Sequence, residues 1–181
     1  MTRTLFFGLA LAALSLTWSC GSDDDEPKQD DKDKPCDAVA QSGCKDGQVC
    51  ETVAGSNPAC FAPVSINGKV FDTVSSAAIE GAHVVARDVN EVAVSGVAVS
   101  AKDGAYSLRV PAPRDAGGKP LKADYMLRAD AQGYLTFPKA PRVALPIDVA
   151  TATGDPLAVQ SSATDIGLIP LESSTGLGQV S

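Results

Sequence analysis

The chain of 181 residues has a single histidine, His83, and a single tryptophan, Trp18. A Ser-His-Asp triad or a His-ligated metal site would have to be built around His83, and no catalytic motif surrounds that residue. Positive charge is also sparse, because 15 Lys and Arg residues face 22 Asp and Glu residues and form no basic block. A nucleic-acid surface needs clustered Lys or Arg. We therefore expect no enzyme, no cofactor, no metal site and no nucleic-acid partner.

A long apolar run is missing too. The stretch from Leu5 to Ser19 is apolar or small, and it is shorter than the roughly 20 residues that a transmembrane helix needs. Arg3 precedes this stretch, and an acidic segment follows it directly. A basic start, a short apolar run and a small residue before the break are typical of a secretory signal.

Cys20 stands at that break, directly after Ser19. The junction resembles the lipobox of bacterial lipoproteins, although the family prefers leucine where Thr17 stands and a smaller residue than Trp18. The resemblance implies cleavage before Cys20, so that residues 1–19 are a lipoprotein signal peptide and Cys20 carries the lipid. An ordinary signal peptide with an unmodified cysteine is the alternative.

Lipidation determines the expected location. Each buried methylene contributes about 0.8 kcal/mol, and more than one acyl chain makes membrane anchoring stable. Gly21 follows the cysteine, at the position where an aspartate would suggest retention in the inner membrane of enterobacteria. By this analogy we expect the outer membrane, on its periplasmic face or at the cell surface. The lipid would contact the membrane, and the partner would be an envelope protein or a glycan.

Residues 20–35 form an acidic tether. After Cys20 the segment contains no apolar aliphatic or aromatic side chain. Such a segment cannot bury enough surface to offset its ordering entropy, so we expect it to be disordered.

Residues 36–63 form a small module with the remaining four cysteines, Cys36, Cys44, Cys50 and Cys60. An exported protein meets an oxidising compartment, so we expect two disulfides that replace a hydrophobic core. Three pairings are possible, and we favour the interleaved one, Cys36–Cys50 with Cys44–Cys60. Zinc is the alternative, but the Cys-x2-Cys spacing of common zinc modules is absent.

Residues 64–172 are predicted to be all-β. Alternating polarity and β-branched runs recur between Gly, Pro, Asp and Asn residues, and no long stretch has a helical period. This pattern favours a Greek-key antiparallel β-sandwich of about seven strands, followed by a flexible tail at residues 173–181. The expected strands are Ser65–Phe71, Ala82–Asp88, Val92–Ser100, Ala105–Val110, Tyr125–Ala129, Val143–Asp148 and Thr164–Leu171.

The alternation also assigns faces to the side chains. Val84, Leu108 and Leu127 are expected to be buried. The opposite face carries His83, Arg87 and Arg109, which we expect to be exposed.

Three runs of sequence resemble the carboxypeptidase regulatory-like domain: Gly68-Lys69-Val70 followed by Gly81-Ala82-His83-Val84, then Asp103-Gly104-Ala105-Tyr106-Ser107-Leu108, and last Leu127 to Gly133-Tyr134. The similarity covers about residues 65–134. It implies a transthyretin-like or starch-binding-like β-sandwich, which is usually an accessory module and not a catalyst. Together with the lipid signal and the cysteine module, the chain resembles exported lipoproteins of myxobacteria.

Two weaker sites complete the expectations. Tyr134 and Phe137 are the candidate ligand surface if they are exposed, because carbohydrate binding needs exposed aromatic rings, but we expect them to cover the edge of the core. Oxygen ligands in the segment Asp88–Glu91, with Asp103, could bind calcium, but turn formation explains the same residues.

The sequence thus indicates a non-enzymatic outer-membrane lipoprotein that displays a β-sandwich for envelope structure or protein interaction. The alternatives are a carbohydrate- or peptidoglycan-binding lipoprotein and an accessory subunit of an exported enzyme.

Overall fold

The computed structural model of the protein describes residues 35–171. The expected signal peptide at 1–19, the lipidation site Cys20, the tether up to residue 34 and the tail at 173–181 lie outside these residues. The described residues belong to one compact unit. Between residues 35 and 171, no helix is long and apolar enough to cross a membrane.

The described chain is all-β, which confirms the predicted fold class. Its regular elements are one turn of 3-10 helix at Val149–Thr151 and strands in three sheets. The strands are β1 (Val49–Glu51), β2 (Ala59–Phe61), β3 (Val64–Asp72), β4 (His83–Arg87), β5 (Ala98–Val99), β6 (Ala105–Val110), β7 (Asp124–Asp130), β8 (Ile147–Asp148), β9 (Ala158–Val159) and β10 (Ile166–Leu168).

Two of the sheets form the sandwich. One has the order β10-β3-β6, and the other has the order β5-β4-β7-β8. The longest antiparallel pairs, β3–β6 and β4–β7, join strands that are not consecutive, because the chain crosses repeatedly between the two sheets. The sheets are not purely antiparallel. The short strands β9 and β10 both run parallel to β3, β9 beside Ser65–Ile66 and β10 beside Val70–Asp72.

The core lies between these two sheets, and alternation of the side chains builds it. Val84, Leu108 and Leu127 are at most 2% exposed, and His83 and Arg109 are exposed, as predicted. The expectation for Arg87 is wrong, because its side chain is only 29% exposed. It points away from the core but lies across the sheet beside Met126, the residue opposite it on β7.

Predicted strands at the sheet edges are shorter than expected. The expected strand Val92–Ser100 is regular only at Ala98–Val99, and an isolated bridge joins Ala93 to Arg87. Likewise, the expected strand Val143–Asp148 is regular only at Ile147–Asp148. The segment 149–163, which lies between two of the expected strands, contains β9. Edge strands pair on one side only, so their extent depends on the neighbouring strand more than on their own sequence.

Candidate functional site

The four cysteines of the module form two disulfides, Cys36–Cys50 and Cys44–Cys60, with Cα–Cα distances of 5.7 and 5.5 Å. This is the interleaved pairing. The sulfur atoms of Cys36, Cys44 and Cys50 lie within 4.8 Å of one another. Because each is bonded to another sulfur, the module offers no thiolate to a zinc ion, and the disulfides build it.

Arg114 joins this module to the sandwich. Arg114 and Glu51 of β1 are each only 2% exposed, and Arg114 Nε donates a hydrogen bond to Glu51 Oε2. The Nη1 group donates to the carbonyl of Gly118 (3.2 Å), and Nη2 donates to the carbonyl of Ala62 (3.0 Å). The guanidinium carbon also lies 4.9 Å from the centre of the Phe61 ring. The arginine thus binds both the module and its own loop.

Backbone hydrogen bonds strengthen the same junction. Arg114 N–H donates to the carbonyl of Thr52 (2.9 Å), and Ala54 N–H donates to the carbonyl of Arg114 (2.8 Å). The N–H of Ala112 donates to Glu51 Oε1 (2.8 Å). Burial raises the pKa of Glu51 more than these hydrogen bonds and the arginine charge lower it. Module and sandwich are therefore one folded unit, joined by a buried ion pair.

Sequence reasoning missed Arg114 and Glu51, although one signal was present. The inward positions of β6 are Tyr106, Leu108 and Val110, and the same period of two continues through Ala112 to Arg114, all of them buried. The prolines, glycines and lysine of residues 111–123 obscured this continuation, because such a composition is typical of an exposed loop.

His83 shows no arrangement for catalysis. Its Nδ1 lies 3.6 Å from Asp130 Oδ2, the residue opposite it on β7, and the two side chains are 57% and 56% exposed. Such a pair is a solvent-exposed cross-strand contact, which contributes little to stability.

The carboxylates considered for calcium are engaged in turns. Asp88 Oδ1 accepts the N–H groups of Asn90 (2.8 Å) and Val92 (2.9 Å), and Asp103 Oδ1 accepts that of Ala105 (3.1 Å). Between residues 35 and 171, no group of three or more carboxylates gathers at metal-binding distance. Turn chemistry accounts for these residues.

Tyr134 and Phe137 do not form an exposed pair of aromatic rings. Phe137 is 9% exposed and packs in the core, because its backbone pairs with Ala129 of β7. Tyr134 is half-buried, and its hydroxyl donates to Asp72 Oδ2 (3.1 Å). Partial burial and the neighbouring Asp72 carboxylate raise the pKa of Tyr134. Throughout residues 35–171 no aromatic side chain is exposed, so the stacking platform of a sugar site is missing there.

A cavity of about 230 Å³ lies on the outer face of the sheet β5-β4-β7-β8. It arises from the path of the chain after β7. In this segment Phe137 pairs with Ala129 of β7, and Ile147 pairs with Tyr125 of β7. Between these two pairs the segment bulges away from β7. The gap beside Leu127 is therefore open. The cavity is lined by Arg87, Glu91, Met126, Leu127, Arg128, Pro138 and Ala144.

Hydrogen-bond donors border this cavity without partners. Arg87 Nε is buried and makes no hydrogen bond, and Arg87 Nη1 reaches Glu91 Oε2 only at 4.0 Å. Arg128 is exposed and forms no ion pair with any residue from 35 to 171. The N–H and C=O of Ala129 point away from β4 and bond to Phe137. Backbone groups two residues apart in a strand point to the same side, so the N–H and C=O of Leu127 point toward the gap. We find no hydrogen bond from either group to residues 35–171. Two cations and a free backbone edge can together bind an anionic group.

Comparisons with known proteins identify no family. No protein-family model matches the sequence, and no curated protein matches it.

Among solved structures, the chain is similar to the T6 backbone pilin of serotype M6 Streptococcus pyogenes, with 16% identity over 53% of this chain and 18% of that chain (TM-score 0.37). It is also similar to BcpA, the major pilin subunit of Bacillus cereus, with 19% identity over 61% of this chain and 32% of that chain (TM-score 0.36). The chain spans a third or less of each pilin, and both similarities are too distant to bear on function.

Proposed function

We propose that the protein is a non-enzymatic bacterial lipoprotein of the outer membrane that displays a β-sandwich for protein contact. The observation that carries the proposal is the junction at Cys20, where a basic start and an apolar run end at Ser19 and an acidic segment begins. A lipid on Cys20 would hold the folded unit at the membrane, and residues 21–35 would separate it from the surface.

The organisation of the folded unit is consistent with display. Two disulfides hold the module together, and the buried Arg114–Glu51 pair joins it to the sandwich. The folded unit would present its surface in an oxidising compartment, the periplasm or the cell exterior, where the disulfides persist.

A carboxypeptidase regulatory-like sandwich is part of the proposal. Part of each resembling run lies in a strand: Gly68-Lys69-Val70 in β3, Val84 in β4, Tyr106 and Leu108 in β6, and Leu127 in β7. Members of that family are usually accessory modules, which supports a binding role over catalysis. The carbohydrate-binding alternative is less favoured, because Phe137 is buried.

The test is metabolic labelling with a fatty acid, combined with membrane fractionation. The wild-type chain should carry the label and sediment with the outer membrane, and Cys20→Ser should lose both. Ser22→Ala is the matched control, since it changes a small polar residue two positions after the cysteine and should keep both. A Cys20→Ser variant that stays labelled and membrane-bound would exclude the assignment.

A further inference from the structure

We propose that the outer-face cavity binds a carboxylate side chain of a partner protein, held between Arg87 and Arg128 and flanked by apolar residues of the partner. This inference rests on the proposed role in protein contact and names the chemistry of the partner.

The charges around the cavity select the anion. Arg87 is poorly neutralised within residues 35–171, because its Nε has no hydrogen-bond partner and the one carboxylate there within ion-pair distance, that of Glu91, lies 4.0 Å from Nη1 and is 80% exposed. Arg128 lies on the neighbouring strand, two pairs along the β4–β7 ladder from the pair Arg87–Met126, and forms no ion pair within residues 35–171. A carboxylate accepts hydrogen bonds from guanidinium groups with favourable geometry, often two at once.

The size of the cavity limits the ligand. A volume of about 230 Å³ is below the roughly 300–1,000 Å³ of sites for whole small molecules. It is suited to one side chain that projects from a larger partner.

The surroundings favour a partner that is both acidic and apolar. Met126, Pro138 and Ala144 form apolar walls. The residues on either side of Ala144, Val143 and Leu145, are 69% and 56% exposed. The chain's own acidic segment at 21–35 has no apolar aliphatic or aromatic side chain to cover them. A separate segment with a Glu or Asp between apolar residues matches both features.

The free backbone of Leu127 favours a peptide over a sugar. Its N–H and C=O face the gap where the sheet edge is open, and an extended peptide can pair with such an edge. A sugar would instead need an aromatic ring, and none is exposed in the described part of the chain.

The test is an NMR titration of the 15N-labelled full chain in detergent with the blocked peptide acetyl-Leu-Glu-Leu-amide. The control ligand is acetyl-Leu-Gln-Leu-amide, which has the same shape and no charge. We expect shifts at the amides of Leu127 and Arg128, with at least tenfold weaker binding of the Gln peptide at low salt. Arg128→Gln should weaken binding at least fivefold, because it removes one of the two cations that hold the carboxylate. Arg128 is exposed, so the fold does not depend on it.

Arg109→Gln is the matched variant. Arg109 is an exposed arginine on β6 of the other sheet, so its loss removes the same charge and should change the affinity less than twofold. The proposal is overturned if the Gln peptide binds equally well, if Arg109→Gln weakens binding as much as Arg128→Gln, or if 20 mM peptide causes no shift.

Two further measurements distinguish the partner peptide from two other ligands of the cavity, an acidic glycan and the chain's own acidic segment. N-Acetylmuramic acid that shifts the same amides at lower concentration than the peptide would overturn the proposal in favour of an acidic glycan. Replacing Asp23, Asp24, Asp25 and Glu26 by their amides should leave the free spectrum of Leu127 and Arg128 unchanged; a change would assign the cavity to the chain's own acidic segment. The peptide titration is repeated with the Cys20→Ser chain, which cannot carry the lipid. Binding by this variant would show that the cavity binds the peptide whether or not the lipid assignment is correct.

Discussion

Replacing Arg114 by alanine should lower the free energy of unfolding by about 3–5 kcal/mol, the range for breaking a buried ion pair from one side. The structure shows why the cost is high. The substitution leaves the Glu51 carboxylate, 2% exposed, without its counter-ion, and it removes the donors bound to the carbonyls of Ala62 and Gly118. Small domains are stable by about 5–15 kcal/mol, so this loss is a large part of the total.

Urea denaturation measures the change, and hydrogen exchange locates it. Arg109→Ala is the matched control, because Arg109 is exposed, and its effect should stay within about 0.5 kcal/mol. Amide protection in β1 and β2 should fall more in Arg114→Ala than protection in β4 and β7, since the module loses its attachment first. A loss below about 1 kcal/mol would refute the role of Arg114 as the link between module and sandwich.

The double variant Glu51→Met/Arg114→Met provides a second check on the same reasoning. Each single variant leaves one buried charge without its counter-ion, whereas the double variant leaves no buried charge at this position. Apolar replacements of similar volume for a buried ion pair are often neutral or stabilising. The double variant should therefore be more stable than either single methionine variant. If the two single effects add instead, the side chains do not act as a pair.

Three further predictions follow from the core, the disulfides and the buried acid. Leu108→Ala should cost about 2–5 kcal/mol in urea unfolding, whereas His83→Ala on the exposed face should stay within about 0.5 kcal/mol; a larger effect of His83→Ala would contradict the face assignment. Cys36→Ser/Cys50→Ser should cost about 3 kcal/mol, the value for a closed loop of about 15 residues, and an unchanged urea midpoint under oxidising conditions would count against it. Burial raises the pKa of Glu51 above its ordinary value of about 4.3, so the folded state binds its proton more tightly and stability should fall as the pH rises from about 4.3 through the folded pKa. Glu51→Gln should remove that part of the fall in a series of urea midpoints between pH 4 and 7, and a steeper dependence in the variant would contradict the direction of the shift.

The central strands could be predicted from local alternation. In β4 and β6 every second side chain is apolar, and those residues, such as Val84 and Leu108, are the buried ones. A strand with one buried face requires this alternation, so the alternation in the sequence predicts which side chains are buried. The disulfides were predictable for a similar reason, because four cysteines in a segment with almost no apolar core leave few alternatives.

The edge strands and the cavity could not be predicted in the same way. β9 is two residues long, and it exists because Ala158 and Val159 pair with Ser65 and Ile66, far away in sequence. The cavity depends on two such long-range pairings, at Ala129 and at Tyr125, and on the bulge between them. The alternation of one strand contains no information about where a neighbour leaves its edge.

Arg114 falls between these two cases. Its period of two with Leu108 and Val110 placed it inward, while its charge and the neighbouring prolines favoured an exposed loop. A charge at an inward position needs a partner, because burying it alone is very costly. Glu51 meets that need from β1, next to Cys50, which is 1% exposed and disulfide-bonded. The cysteine module therefore supplies the counter-ion that the buried Arg114 needs. The disulfide at Cys50 helps to hold Glu51 in position for this ion pair.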